Sequence, residues 1–143
     1  MMVGGRVAVE ASCEEMFSRL SDPRKLEDRV PAVEWVEVLD EDSFTVSMAP
    51  STGLGITPLK LRVNVSDRRD NEGVRLSGEA DGGEFTAAFQ LRLEFVPDGQ
   101  ASQVRWSAEA RFVGLLSSIG QRVLPAIVAA QVEAVVRQAA SPT

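Results

Sequence analysis

The sequence has 143 residues, 44% of them hydrophobic and 25% charged, which is ordinary for one globular domain with a substantial core. A net charge of −6 at pH 7 argues against nucleic-acid binding, which needs a clustered basic surface. The chain has no histidine and no tyrosine, which excludes histidine-based catalytic triads and most zinc or non-haem iron sites. We therefore expect a single domain over residues 1–143 with no catalytic residue, no metal site and no cofactor.

The single cysteine and the lack of targeting signals indicate the compartment. Cys13 has no partner for an internal disulfide, which fits a reducing cytoplasm, and a structural thiol is the favoured role for it. The N-terminus shows no signal peptide, and the apolar C-terminal stretch is interrupted by Arg122, Gln131 and Glu133. We expect a cytoplasmic protein without a transmembrane segment.

The first thirty residues predict a strand followed by two short helices. Arg6–Glu10 alternates with Val7 and Val9 on one face, as a strand does. Ser12 and Glu15 have the spacing of a capping box, which predicts the start of the first helix. An aspartate and a proline at 22–23 start the second helix, and Val30 before Pro31 ends it.

From residue 33 to residue 112 the sequence alternates with the two-residue period of half-buried strands. The predicted strands are Val33–Asp40, Ser43–Met48, Thr57–Asp67, Val74–Ala80, Phe85–Phe95 and a last one with Val104 to Phe112 on its pattern. Tight turns separate most of them, and Pro50–Ile56 forms a longer loop that contains Gly53 and Gly55. These two glycines lack the context of a phosphate-binding loop, since a strand and not a helix follows them.

The C-terminal stretch Gly114–Gln138 predicts one long helix with a broad apolar face. Pro125 lies on its outer face and should bend the helix around its partner. Residues 139–143 are expected to fray. Because an antiparallel sheet with one wet face must cover the other, we predict an α+β fold in which a curled sheet of about seven strands surrounds this helix.

Small residues on the facing surfaces predict either close packing or an internal cavity. Gly78, Ala80, Ala87, Ala108 and Ala110 lie on the inner face of the sheet, opposite small residues of the helix. A cavity there would be bounded by large apolar side chains and would suit an apolar ligand. The candidate ligand-binding residues are Phe44, Met48, Leu59, Leu61, Phe89, Trp106, Phe112, Leu116, Val123, Ile127 and Gln131.

Two polar or aromatic positions stand out from this pattern. Gln131 lies in the middle of the apolar arc of the helix, where its amide needs a backbone group, a water molecule or a polar ligand head group as partner. Trp35, between Glu34 and Val36, is expected to be partly exposed, and an exposed tryptophan can mark a partner surface.

Short segments along the chain carry a family resemblance. They are Asp22-Pro23 with Leu26, Val30-Pro31, Gly78-Glu79 with Gly82-Gly83, and Gly114-Leu115-Leu116 leading into Ile119-Gly120-Gln121-Arg122. On these residues the chain resembles the CoxG family, which is named for the G subunit of carbon monoxide dehydrogenase. That family lies within the START-like (SRPBCC) superfamily, which includes polyketide cyclase-like and Bet v 1-like proteins. The family often has Cys-Ile-Pro-Gly where this chain has Arg29 to Ala32, and an aromatic pair where it has Val135 and Val136.

The resemblance implies a helix-grip fold and a non-catalytic protein that binds a lipid- or quinone-like molecule. It also implies a molybdenum-type carbon monoxide dehydrogenase as protein partner and peripheral association with the inner face of the membrane. Some relatives carry a C-terminal extension for that association, which this sequence lacks. Two alternatives stay open: a cyclase- or dehydratase-type enzyme on the same fold, and a protein-interaction module with a filled core.

Overall fold

A computed structural model describes residues 1–49, 58–114 and 118–142, except for the side chains of 118–121. It contains seven strands and three helices in these ranges. In chain order they are β1 (Met2–Val9), α1 (Cys13–Ser21), α2 (Pro23–Arg29), β2 (Val33–Asp40), β3 (Ser43–Met48), β4 (Leu59–Arg69), β5 (Gly73–Asp81), β6 (Phe85–Asp98), β7 (Ala101–Gly114) and α3 (Ser118–Ala140). The predicted loop with Gly53 and Gly55 lies outside the described residues.

The seven strands form one antiparallel sheet in the order β1-β7-β6-β5-β4-β3-β2. Consecutive strands from β2 to β7 are neighbours, and β1 forms the other edge of the sheet by pairing with β7. The predicted α+β fold is confirmed, because two short helices follow the first strand and one long helix follows the last.

The two short helices begin where their capping residues predict. The side chain of Ser12 accepts the backbone N–H of Glu15 at 3.1 Å, and the Glu15 carboxylate accepts the backbone N–H of Ser12 at 3.3 Å. Asp22 caps α2 by accepting the backbone N–H of Arg24 at 3.0 Å, with Pro23 in the first turn. Both predicted starts, and the end of α2 before Val30, are confirmed.

The first strand begins earlier than predicted. It runs from Met2, and Gly4 and Gly5 pair with Ser107 and Trp106 of β7. Glycines have no side chain to alternate, so the sequence pattern does not show this part of the strand. Val7, on the predicted inner face, is buried.

Helix α3 is held against one side of the sheet and not against its middle. Its close backbone contacts are with β1, α1 and α2. Val136 and Ala139, near its C-terminal end, are almost completely buried. The prediction of a helix from Gly114 is wrong for that residue, since Gly114 ends β7.

The C-terminal end of α3 is capped by side chains from the short helices. The Arg19 guanidinium donates to the carbonyl oxygens of Ala139 and Ala140 at 3.2 and 3.4 Å. Arg29 donates to the carbonyl oxygen of Ser141 at 2.9 Å. Cations suit the last carbonyls of a helix, whose own N–H partners are missing. The expectation that residues 139–143 fray is therefore wrong for residues 139–141.

By length and composition alone, α3 could cross a membrane. The segment Arg122–Ala140 has a mean hydropathy of 1.3, and 17% of it is buried. A helix that covers an apolar cavity is also rich in apolar residues. Its buried share is low because side chains that face a cavity stay partly accessible. Val128, Val132 and Val135 are of this kind, since they are half-buried and line the cavity described below.

We predict that replacing Arg19 with methionine lowers the free energy of unfolding by about 1–2 kcal/mol, because two carbonyls of α3 lose a charged donor. Arg24→Met is the matched control, since Arg24 is an exposed arginine of α2. Urea denaturation measures both. Equal losses in the two variants would show that the cap contributes nothing specific.

The capping box also predicts a pH dependence. The backbone N–H of Ser12, followed by its hydroxyl, lowers the pKa of Glu15 from its ordinary value of 4.5. Because the folded-state pKa is below the unfolded one, this stabilisation is complete above the ordinary value and is lost as the pH falls through the folded-state pKa. We expect Glu15→Gln to reduce the decline in melting temperature from about pH 6 to about pH 3, and Glu14→Gln to leave it unchanged. An unchanged decline in Glu15→Gln would contradict this assignment.

Candidate ligand-binding cavity

An apolar cavity of about 230 Å³ lies between the inner face of the sheet and α3. Its walls come from α1, α2, every strand from β2 to β7, and the middle of α3. The cavity exists because α3 contacts the sheet closely at β1 and stands away from the central strands. It lies just below the range of about 300–1,000 Å³ that is usual for drug-sized ligands, so a ring system or a short chain would fit.

The surface that lines the cavity is apolar. Gln131 of α3 and Gln90 of β6 border it, but Gln90 belongs to the outer row of its strand. Within the described part of the chain, no titratable side chain lines it and no hydrogen bond joins the Gln131 amide to another residue. Such a wall can bind an apolar molecule, but it offers no acid or base for catalysis.

Seven of the predicted candidate residues come together at this cavity. They are Phe44, Met48, Leu59, Leu61, Phe89, Phe112 and Gln131. The two phenylalanines of β6 and β7 and the leucines of β4 form the sheet side of the wall, and Gln131 faces them from the helix. Their role in ligand binding remains a prediction.

The other four candidates are not part of the described wall. Val123 is 45% exposed, although its neighbour Leu124 is buried. Ile127 is half-buried beside the cavity without lining it. Leu116 lies outside the described residues.

Trp106 is buried, but at the β1 side of the sheet. A Cβ on Gly5 would lie 3.0 Å from the indole nitrogen of Trp106 and 3.1 Å from Oε2 of Glu133. The ring therefore fills the space that the glycine leaves between β1 and α3, and the expectation that it bounds the cavity is wrong. Its Nε1 has no hydrogen-bond partner among the described residues.

Apart from Gln90, the remaining wall residues lie on faces that the sequence marks as apolar, but the pattern alone does not identify them as wall residues. They are Leu20, Leu26, Val33, Val46, Val63, Leu76, Ala80, Phe85, Ala87, Gln90, Leu91, Leu93, Ala108, Val128, Val132, Val135 and Val136. The small residues Ala80, Ala87 and Ala108 were expected on the inner face, and they do line the cavity. Gln90 has no sequence signal, because it belongs to the outer row of β6.

Cys13 has no chemical role in the cavity. It lies in the first turn of α1 and is absent from the wall. Burial raises the pKa of its thiol above the ordinary value, which disfavours the reactive thiolate. This fits the structural role expected from the sequence.

A larger groove of about 590 Å³ lies on the outer face of the sheet. Trp35 and Val113 border it, and five charged side chains line it: Lys60, Arg62, Glu79, Asp81 and Arg111. The groove is open to solvent and charged, so it suits an apolar ligand less well than the interior cavity does.

Solved structures show the same fold at low sequence identity. A conserved protein from Geobacillus kaustophilus superposes with a TM-score of 0.86 at 18% identity, covering 97% of this chain and 92% of that one. A START superfamily protein from Mycobacterium smegmatis gives 0.74 at 16% identity over 96% and 92%. The di-domain ARO/CYC protein StfQ of the steffimycin biosynthetic pathway gives 0.69 at 11% identity, covering 97% of this chain and 49% of StfQ.

Sequence comparison identifies the family. Comparison with curated protein sequences gives no match. The family model for CoxG, the G subunit of carbon monoxide dehydrogenase, matches residues 5–141, which is nearly the whole chain. The resemblance noted in the short sequence segments is thereby confirmed, and the START-like fold agrees with it. The chain belongs to the carbon monoxide dehydrogenase CoxG family.

Proposed function

We propose that this protein binds an apolar or amphipathic small molecule, lipid- or quinone-like, in the cavity beneath α3. The apolar cavity carries the proposal, because close packing of the helix on the sheet would have removed it. The CoxG family and the START-like fold support a ligand-binding accessory role.

The chemistry of the wall favours a molecule with one polar group on an apolar body. Residues such as Phe89 and Phe112 would contact the body, and burial of its surface contributes about 25 cal/mol for each Å². Gln131 would exchange a hydrogen bond with a carbonyl or hydroxyl, since its amide both donates and accepts. A quinone ring or a lipid ester has these features.

We further propose that the protein acts beside a carbon monoxide dehydrogenase-type oxidoreductase, in the cytoplasm or peripherally at the inner face of the membrane. The family name supports the enzyme partner. The cyclase-type alternative, suggested by the likeness to StfQ, is disfavoured because no described wall residue is titratable. The interaction-module alternative is disfavoured by the cavity itself.

The first test fills the cavity. Ala87 is buried on β6 with its side chain in the wall, and Ala88 beside it is exposed on the outer face. We expect organic solvent to release an apolar molecule from the purified protein, at least about tenfold less of it from Ala87→Leu, and an unchanged amount from Ala88→Leu. Mass spectrometry of the extracts measures this. Equal release from both variants would place the ligand elsewhere on the protein.

The second test concerns the polar contact. Gln131→Leu should weaken binding of methyl-naphthoquinone by about threefold to tenfold, the value of one hydrogen bond, and leave binding of methyl-naphthalene unchanged. Gln103→Leu, on the outer row of β7, is the control. Fluorescence titration measures affinity, and urea denaturation measures stability. Loss of stability with quinone affinity unchanged would make Gln131 a structural residue.

A further inference from the structure

The two edge strands of the sheet differ in how they are covered. Strand β1 is packed against α3. Strand β2 has β3 on one side of the sheet and also contacts α2. There the Glu27 carboxylate accepts the outward N–H of Val36 at 2.7 Å. The half of β2 that follows is an edge without a covering element in the described structure.

The open half of β2 presents backbone groups and apolar side chains to solvent. Because hydrogen bonds in an antiparallel pair alternate along the strand, Val38 directs its N–H and C=O outward as Val36 does. Val38 and Leu39 are 38% and 45% exposed. Natural edge strands are usually protected by lysine, proline or a covering element, and exposed apolar edges tend to pair with another strand.

Strand β2 and the turn that follows it are rich in acidic residues. From Val30 to Leu59 the sequence contains five acidic residues and no lysine or arginine. Arg68 from β4 pairs with Asp42 in the turn. Glu37 and Asp40 form no ion pair within the described residues. The open edge is therefore acidic as well as partly apolar.

The side chains of the edge are sorted by face. Trp35 borders the outer groove, so Glu37, two residues later, lies on the same outer face. Val36 and Val38 lie on the inner face of the sheet. Their cross-strand partners on β3 are the buried Val46 and Phe44. A strand added at this edge would meet a carboxylate on one face and valines on the other.

We propose that Val36–Asp40 is a docking edge for an extended segment of a partner protein in which basic and apolar residues alternate. The segment adds an eighth strand by hydrogen bonding to Val38, with its basic side chains beside Glu37. A second copy of this chain fits poorly, because an antiparallel pair of two β2 strands brings their acidic side chains together. The proposal is independent of the cavity and its ligand.

The test uses the full chain labelled with ¹⁵N and the blocked peptide acetyl-Lys-Val-Lys-Val-Lys-Val-amide, with the Glu-Val peptide as its charge-reversed counterpart. We expect the Lys-Val peptide to shift amide signals around Val36–Asp40 and, at saturation, to slow amide exchange of Val38 at least about tenfold. Shifts confined to another surface, or none at millimolar peptide, would overturn the proposal.

Two variants distinguish edge pairing from nonspecific charge attraction. Glu37→Lys should weaken binding of the Lys-Val peptide about tenfold and strengthen binding of the Glu-Val peptide. Glu109→Lys, on the outer row of β7, should change the affinity for either peptide by no more than about twofold. Val38→Pro removes an outward N–H and should abolish binding while the sheet persists. Equal effects of the two lysine variants overturn the proposal. So does a dimer of the free protein that Glu37→Lys or Val38→Pro dissociates, because the occupant is then a second copy.

Discussion

The long helix α3 lies over the apolar face of a seven-stranded sheet beside the two short helices, and it contacts the sheet closely along only one side of that face. The attachments are the packing of α3 on β1 and the caps that Arg19 and Arg29 place on its C-terminal carbonyls. Over the central strands the helix has no such support. The cavity and the half-buried valines of α3 both follow from this one-sided attachment. A helix packed on the middle of the sheet would leave no room for a ligand.

The sequence predicts the order of the elements and which face of each is buried, because alternation and capping are local properties. It predicts less well which residues of an inner face line the cavity and which pack elsewhere. Leu61 and Trp106 both belong to inner rows, yet Leu61 lines the cavity and Trp106 packs under Gly5. Val123 belongs to the apolar arc of α3 and is exposed. These differences depend on where the helix is held, which residues far apart in the sequence decide.

The segments that reveal the family are largely structural. A Cβ on Gly78 would overlap the carbonyl oxygen of Arg62 on the neighbouring strand. A Cβ on Gly114 would lie 2.6 Å from the carbonyl oxygen of Glu84, and the backbone there has a φ of 126°, which favours glycine. Both positions allow neighbouring strands to approach closely. Family membership therefore accounts for the shape of the fold, while the selectivity of the proposed ligand site would depend on wall positions such as Ala87.

The arginine caps of α3 can form only late in synthesis. Arg19 and its acceptor Ala139 are 120 residues apart, and α3 is the last of these elements to leave the ribosome. Until then, only the short helices α1 and α2 cover the apolar face of the sheet, and β1 lacks its contact with α3. Nascent chains that stall before residue 118 should therefore expose a large apolar surface and be prone to aggregate or to bind chaperones.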